Sequence, residues 1–163
     1  MKHPTKISAL MLVGLLALTT ACTKDHVTPE FEMENAPYTA QYSFKTKSQD
    51  ITKNAAGQNI IKVVIEGTGT SSFAGNVTFT DAFDFILATG AADHKVTFTT
   101  TNGDTFSTTM TTQVGPSSIT GTTTFTGGTG RFAKIKGSSP NVGPPVGPTG
   151  EGTWKEEDGK VTF

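Results

Sequence analysis

The sequence predicts an all-β domain: a single small antiparallel barrel of about eight strands, with a β-sandwich as the alternative. Three observations predict it. Threonine accounts for 31 of 163 residues and phenylalanine for 11, and β-branched and aromatic side chains fit a pleated, half-buried surface. Apolar residues alternate with polar ones along several short segments, the period of a strand with one buried face. Turn signals separate those segments at short intervals, and no helical periodicity occurs beyond the N-terminal segment. A barrel is preferred to a sandwich because consecutive hairpins join easily and closure removes exposed edges.

The elements follow in order. Tyr38, Ala40, Tyr42 and Phe44 alternate with Thr39, Gln41, Ser43 and Lys45, so the first strand is expected over 38–47. A polar loop over 48–59 leads to a second strand over 60–66, where Ile61, Val63 and Ile65 share a face. Gly67-Thr68-Gly69-Thr70 should interrupt it. Val77, Phe79, Phe83 and Phe85 share parity along a third segment, with a bend expected near Asp81-Ala82. Asn102-Gly103, between 95–101 and 104–112, predicts a two-residue type I′ hairpin, with Val96 and Phe98 on the buried face of its first arm. Gly115-Pro116 turns the chain into a strand over 119–126, and a short strand is expected over 132–136. Residues 137–152 hold Pro140, Pro144, Pro145, Pro148 and five glycines, which predicts a loop. Strands at 153–155 and 161–163, around an Asp158-Gly159 turn, close the domain. The tripeptide Val-Thr-Phe recurs at 77–79, 96–98 and 161–163, which is shared strand chemistry rather than a repeat.

The N-terminus carries an address. Lys2 and Lys6 precede an apolar run from Ile7 to Leu18, then Thr19-Thr20-Ala21 and Cys22, the one cysteine. The run is too short to span a bilayer, which takes about 20 residues. Basic residues, a short apolar run, small residues and then cysteine resemble a bacterial lipoprotein signal peptide. That resemblance implies removal of residues 1–21, lipid attachment at Cys22, a tether over 22–37 and a barrel domain over 38–163. It places the protein in the bacterial cell envelope, held at the outer membrane through its N-terminal lipid. Thr19, where leucine is the usual residue, departs from the pattern. The alternative is an ordinary secretory signal with Cys22 an idle thiol.

Composition narrows the chemistry. The net charge is −1, and loss of Lys2 and Lys6 would take it to −3. Arg131 is the sole arginine, so a nucleic-acid partner, which needs a Lys/Arg surface, is disfavoured. With Cys22 acylated, no thiol remains for a disulfide, thiolate catalysis or a cysteine metal site. No cofactor motif is present, and neither a metal-ligand cluster nor a nucleophile-elbow signature occurs.

The stretch Thr120-Gly121-Thr122-Thr123-Thr124-Phe125-Thr126-Gly127-Gly128-Thr129-Gly130-Arg131-Phe132-Ala133, with Gly137 following, resembles a turn between two strands of the allene oxide cyclase and dirigent barrel superfamily. Gly67-Thr68-Gly69 with Gly75 and Val77-Thr78-Phe79-Thr80 is similar to an earlier strand of the same barrels, and Gly150-Glu151-Gly152-Thr153-Trp154 to their closing strand. Ile135 and the proline-rich insertion depart from the pattern. The resemblance implies a barrel with an interior cavity; plant members guide or cyclise small hydrophobic substrates there, and some oligomerise. It transfers no catalytic position to this chain.

The candidate residues therefore stand on their own. Asp81 shares parity with Phe79, Phe83 and Phe85. If that face is the interior, Asp81 is a carboxyl in an aromatic pocket and the one candidate for catalysis. A bulge at Ala82 that turns Asp81 outward is the plainer expectation. Phe79, Asp81, Phe83, Phe85 and Arg131 are the candidate ligand-binding residues, Arg131 because it sits on a glycine turn where an anion could meet it. Asp93-His94 reads as a solvated pair, and Trp154 as core. Three functions remain open: an anchored, non-catalytic barrel binding a small apolar ligand or a partner; an allene oxide cyclase- or dirigent-like enzyme; and a surface adhesion protein using the proline-rich loop.

Overall fold

A computed structural model of the chain describes residues 33–147 and 149–163. The expectations for the signal peptide, for lipid attachment at Cys22 and for most of the tether lie outside the described residues. The remainder is a closed antiparallel barrel in which each strand pairs with the next in sequence and the last pairs with the first. The strands are β1 (Ala36–Lys53), β2 (Asn59–Ser71), β3 (Gly75–Ile86), β4 (Ala91–Thr100), β5 (Thr105–Val114), β6 (Ile119–Gly128), β7 (Lys136–Gly143) and β8 (Glu151–Thr162). The all-β barrel predicted from composition and alternation is therefore the fold, and the sandwich is not.

Local differences from the sequence expectations have physical causes. The first two strands are longer than predicted and form a hairpin around residues 54–58, where Asn54 Oδ1 accepts from the backbone N–H groups of Ala56 and Gln58. Gly67-Thr68-Gly69-Thr70 does not interrupt β2. Gly67 faces Phe44 of β1 and Phe79 of β3, and a Cβ there would come within 2.4 Å of the Phe79 ring. Gly69 likewise faces Tyr42, and Gly152 faces Phe44. These glycines make room inside the wall for large rings, so the interior can hold more aromatic volume than the strands would otherwise admit.

No bend or bulge occurs at Asp81-Ala82; pairing with β2 and β4 runs unbroken through both residues. Asn102-Gly103 does turn the chain, but not as a type I′ pair. Gly103 alone has a positive φ, of 90°, while Thr100 N–H donates to Asp104 O and Gly103 N–H to Thr100 O. That is a three-residue loop with glycine in the left-handed position. Of the strand expected at 132–136, Phe132 instead ends a short 3-10 helix, Gly130–Phe132, which tucks it into the barrel, and only Lys136 is in a strand, as the first residue of β7. The segment over 137–152 is not wholly loop: its first half is β7, with Pro140 opposite Thr122 of β6. Asp158-Gly159 is not a turn either. Asp158 has φ 59° at an irregularity opposite Tyr38-Thr39-Ala40, and β8 continues through it.

The two ends of the barrel differ. The β2–β3, β4–β5 and β6–β7 connections share one end, which is plugged by rings. Phe73, from the β2–β3 turn, packs against Phe106, Phe125, Phe132 and Phe163 at ring centroid distances of 5.3–5.9 Å. Tyr42, Phe79, Phe98 and Trp154 form the layer above. At the opposite end, served by the β1–β2, β3–β4, β5–β6 and β7–β8 connections, the core stops short. The exposed large apolar side chains among the described residues, Ile51, Leu87, Val114 and Val146, all belong to that open end.

Candidate functional site

Where the core stops, a cavity of about 690 Å³ opens between the strands. Its size lies within the usual range for a small-molecule site, roughly 300–1,000 Å³. Trp154 and Phe44 border its inner part, and Val63, Phe83, Phe85 and Met110 line its walls. The β7–β8 loop borders the mouth through Pro144, Pro145 and Val146. That loop is tied to β1 by Thr46, whose N–H and hydroxyl both donate to Gly150 O, at 2.8 and 2.9 Å.

Into this largely apolar space the barrel turns three linked polar groups. Asp81 on β3 is fully buried, against the plainer expectation of an outward bulge. The unbroken alternation of β3 leaves it no other direction. Its Oδ2 lies 2.8 Å from His94 Nδ1, and His94 Nε2 lies 2.9 Å from Thr112 Oγ1. The three residues come from adjacent strands, β3, β4 and β5, and all border the cavity. Phe83 packs against the imidazole at a centroid distance of 4.2 Å and a tilt of 33°, which holds the ring in place. Burial pushes the Asp81 carboxyl above its ordinary range, while the hydrogen bond and charge of His94 pull it back toward the ionised form. Asp81 Oδ1 has no hydrogen-bond partner.

His94 corrects the sequence reading. It is not half of a solvated pair: Asp93 faces out and His94 faces in. The signal was available, since His94 shares parity with Val96 and Phe98.

A second buried acid was missed entirely. Glu156, on β8, is 1 % exposed. Its Oε1 accepts from Thr123 Oγ1 at 2.9 Å and from Trp154 Nε1 at 3.3 Å. Asn141, which borders the cavity, donates to Thr123 Oγ1 at 3.2 Å and so connects the cavity to this inner cluster. Beside it the Tyr38 and Tyr42 hydroxyls share a hydrogen bond of 2.7 Å. Burial drives the Glu156 carboxyl from 4.5 up to about 7, opposed by hydrogen bonds that favour the charged form, Thr123's first.

The other candidates are placed as follows. Phe83 and Phe85 line the cavity. Phe79 lies deeper, packed on Tyr42, Phe98 and Trp154, and belongs to the core layer rather than to the cavity wall. Arg131 is exposed on the 3-10 helix at the plugged end, its guanidinium 4.7 Å from the Phe132 ring centroid. The barrel's length therefore separates Arg131 from the cavity, and it does not join the group around Asp81. Trp154 is buried, as the sequence suggested, and also borders the cavity. Among the described residues, no group of three or more His, Cys, Asp or Glu side chains gathers as a metal site would require.

No family model matches the sequence, and no curated protein matches it. A solved structure described as "Structure of the pterocarpan synthase dirigent protein GePTS1" superposes with a TM-score of 0.54 at 15% identity, covering 80% of this chain and 87% of that one. At that identity the likeness is one of fold. It bears out the dirigent-like, closed eight-stranded barrel that the Thr120–Ala133 segment suggested.

Proposed function

We propose that this protein is a lipid-anchored cell-envelope barrel that binds a small, largely apolar ligand in the open-end cavity. The observation that carries the binding half is the cavity itself: apolar walls with one convergent polar group, Asp81–His94–Thr112, at hydrogen-bond distances. The envelope half rests on Lys2, Lys6, the Ile7–Leu18 run and Cys22. Binding is tested by titrating apolar probes against Trp154, the one tryptophan, which borders the cavity and so reports on its filling. Ala92 also borders it. Ala92→Phe should fill the cavity and abolish binding while the protein stays folded; unchanged binding would move the site elsewhere. The anchor is tested separately: a Cys22→Ser protein that remained lipidated and membrane-bound would overturn it.

A second reading is favoured by one specific observation. Asp81 and His94 form a buried, hydrogen-bonded acid–base pair bordering a cavity, which is the equipment for moving a proton on a bound substrate. The structural neighbour is described as a pterocarpan synthase, so an enzyme of dirigent or allene oxide cyclase type is the alternative to a passive binder. Asp81→Ala would then abolish turnover of a small hydrophobic substrate without unfolding the barrel. Binding takes precedence because the likeness extends to fold alone. An adhesive role for Ser138–Thr149 is weaker, since half of that segment is β7 and part of the barrel wall.

A further inference from the structure

We infer that the open end of the barrel is a lipid-facing surface: a ring of apolar tips seats the cavity mouth on the neutral interface of a bilayer, from which the ligand enters. The inference rests on the anchored-barrel reading above and names the surface onto which the cavity opens.

The first observation is where the exposed apolar side chains stand. Among the described residues the large ones are Ile51, Leu87, Val114 and Val146, one in or beside each of the four connections at this end. Ile51 is near the end of β1, Leu87 opens the β3–β4 connection, Val114 closes β5 and Val146 lies in the β7–β8 connection. Because those connections join successive strand pairs round a closed barrel, the four tips encircle the mouth. Val114 and Val146 also border the cavity, so the ring is continuous with its apolar wall.

The second observation is the charge that is missing. Residues 54–58, 87–90, 115–118 and 144–147 contain no Asp, Glu, Lys, Arg or His. Connections run over the surface and ordinarily carry charge, and 17% of this chain is charged. The opposite end keeps that habit, with Asp104 in 101–104 and Arg131 and Lys134 in 129–135. An uncharged end with one apolar tip per connection leaves water without the cost of desolvating ions.

What covers such an end is neutral, apolar and compliant. A second protein needs a contiguous, close-packed patch, whereas lipid conforms to separate tips around an open mouth. Behind the rim Lys47 pairs with Glu66 and Lys62 with Asp84, so these lysines are not free to hold anionic lipid. An apolar ligand dissolves in lipid rather than in water, so a mouth on lipid meets it where it is concentrated. The anchor allows this posture. Met33, bonded to Phe163, stands at the plugged end, and residues 22–32 reach about 40 Å at most when extended. Tilted strands of these lengths make a barrel roughly 30–40 Å long, so a lipid on Cys22 and the rim can meet one bilayer.

The test is hydrogen exchange on the full-length protein, expressed in bacteria, with and without phosphatidylcholine vesicles, alongside co-sedimentation. On vesicles the backbone amides of 54–58, 87–90 and 115–118 should exchange at least about fivefold more slowly, with 101–104 and 129–135 unchanged. Ile51→Asp combined with Leu87→Asp, at side chains 75% and 48% exposed, should lose that protection while the protein still sediments through its lipid. Protection at 101–104 and 129–135 instead, or at neither end, overturns this inference and leaves the anchor and the cavity standing. Rim protection that requires phosphatidylglycerol, or that vanishes in high salt, also overturns it. So does rim protection without vesicles in a protein that sediments as a dimer. Protein that stays out of the vesicle fraction overturns both this inference and the anchor.

Discussion

Burial of Glu156 sets an expected pH dependence of stability. Its carboxyl is raised from 4.5 to about 7 in the folded barrel, chiefly by burial, so folding favours the protonated form. The contribution is fully present below about pH 4.5 and is lost as pH rises through about 7. A shift of that size corresponds to about 3 kcal/mol. The denaturant midpoint should therefore fall between those pH values, and Glu156→Gln should flatten the fall. Asp81 is also raised and acts in the same direction, so the variant should reduce the slope without abolishing it. In the sequence Glu156 stands among the charges of Lys155-Glu156-Glu157-Asp158, between the two short strands expected there. The informative signal was its shared parity with Trp154. Gly67 makes a complementary case. Its Cβ would lie 2.2 Å from Ser43 O and 2.4 Å from the Phe79 ring, so Gly67→Ala should cost about 2 kcal/mol by overpacking, measured as a lower denaturant midpoint.

At the scale of elements, turn chemistry and strand pairing respond differently to change. A Cβ at Gly103 would meet nothing within 4 Å, but its φ is 90°. Gly103→Ala should therefore destabilise through backbone strain alone, by about 1 kcal/mol, with pairing of β4 and β5 retained by hydrogen exchange. Deleting Ser138–Thr149 should act quite otherwise. It removes most of β7 and with it the ladder joining β6 to β8, so the expected result is an insoluble or unfolded chain rather than a shortened loop. That strand was not legible because Pro140 and flanking glycines argue against a ladder position. Pro140 is tolerated because the β7–β8 register is irregular between Ser138 and Asn141, where a missing N–H interrupts little. Gly137, paired with Phe125 of β6, has φ 133° and lies so close to β8 that a Cβ would come within 2.1 Å of Lys160 O.

For the whole molecule, closure is the feature on which both ends depend. β1 pairs with β8, and beyond the ladder Met33 and Phe163 exchange two backbone hydrogen bonds, at 2.7 and 3.0 Å. Phe163 and Val161 are buried with the rings that plug the closed end. Removing Lys160–Phe163 should expose that plug. The shortened chain should bind a dye for apolar surface and lose the cooperative transition that Trp154 emission and far-ultraviolet circular dichroism report together in the intact protein. Because the cavity lies at the other end, a chain that kept its transition and its ligand affinity would show that closure is not needed to hold the site.

The sequence by itself determined the class of fold, the shared parity of Val77, Phe79, Phe83 and Phe85 and the turns at Gly103 and Gly115, because alternation, β-branched content and glycine punctuation are local properties. It also carried the dirigent-like resemblance through Thr120–Ala133. Tertiary structure alone decided which inward residues meet. Asp81, His94 and Thr112 are separated along the chain and converge only because β3, β4 and β5 are neighbours in a fixed register. The same register set Arg131 at the far end from Asp81, and put Glu156 beneath Trp154 rather than in solvent. Parity says which way a side chain points; only the closed ladder says what it points at.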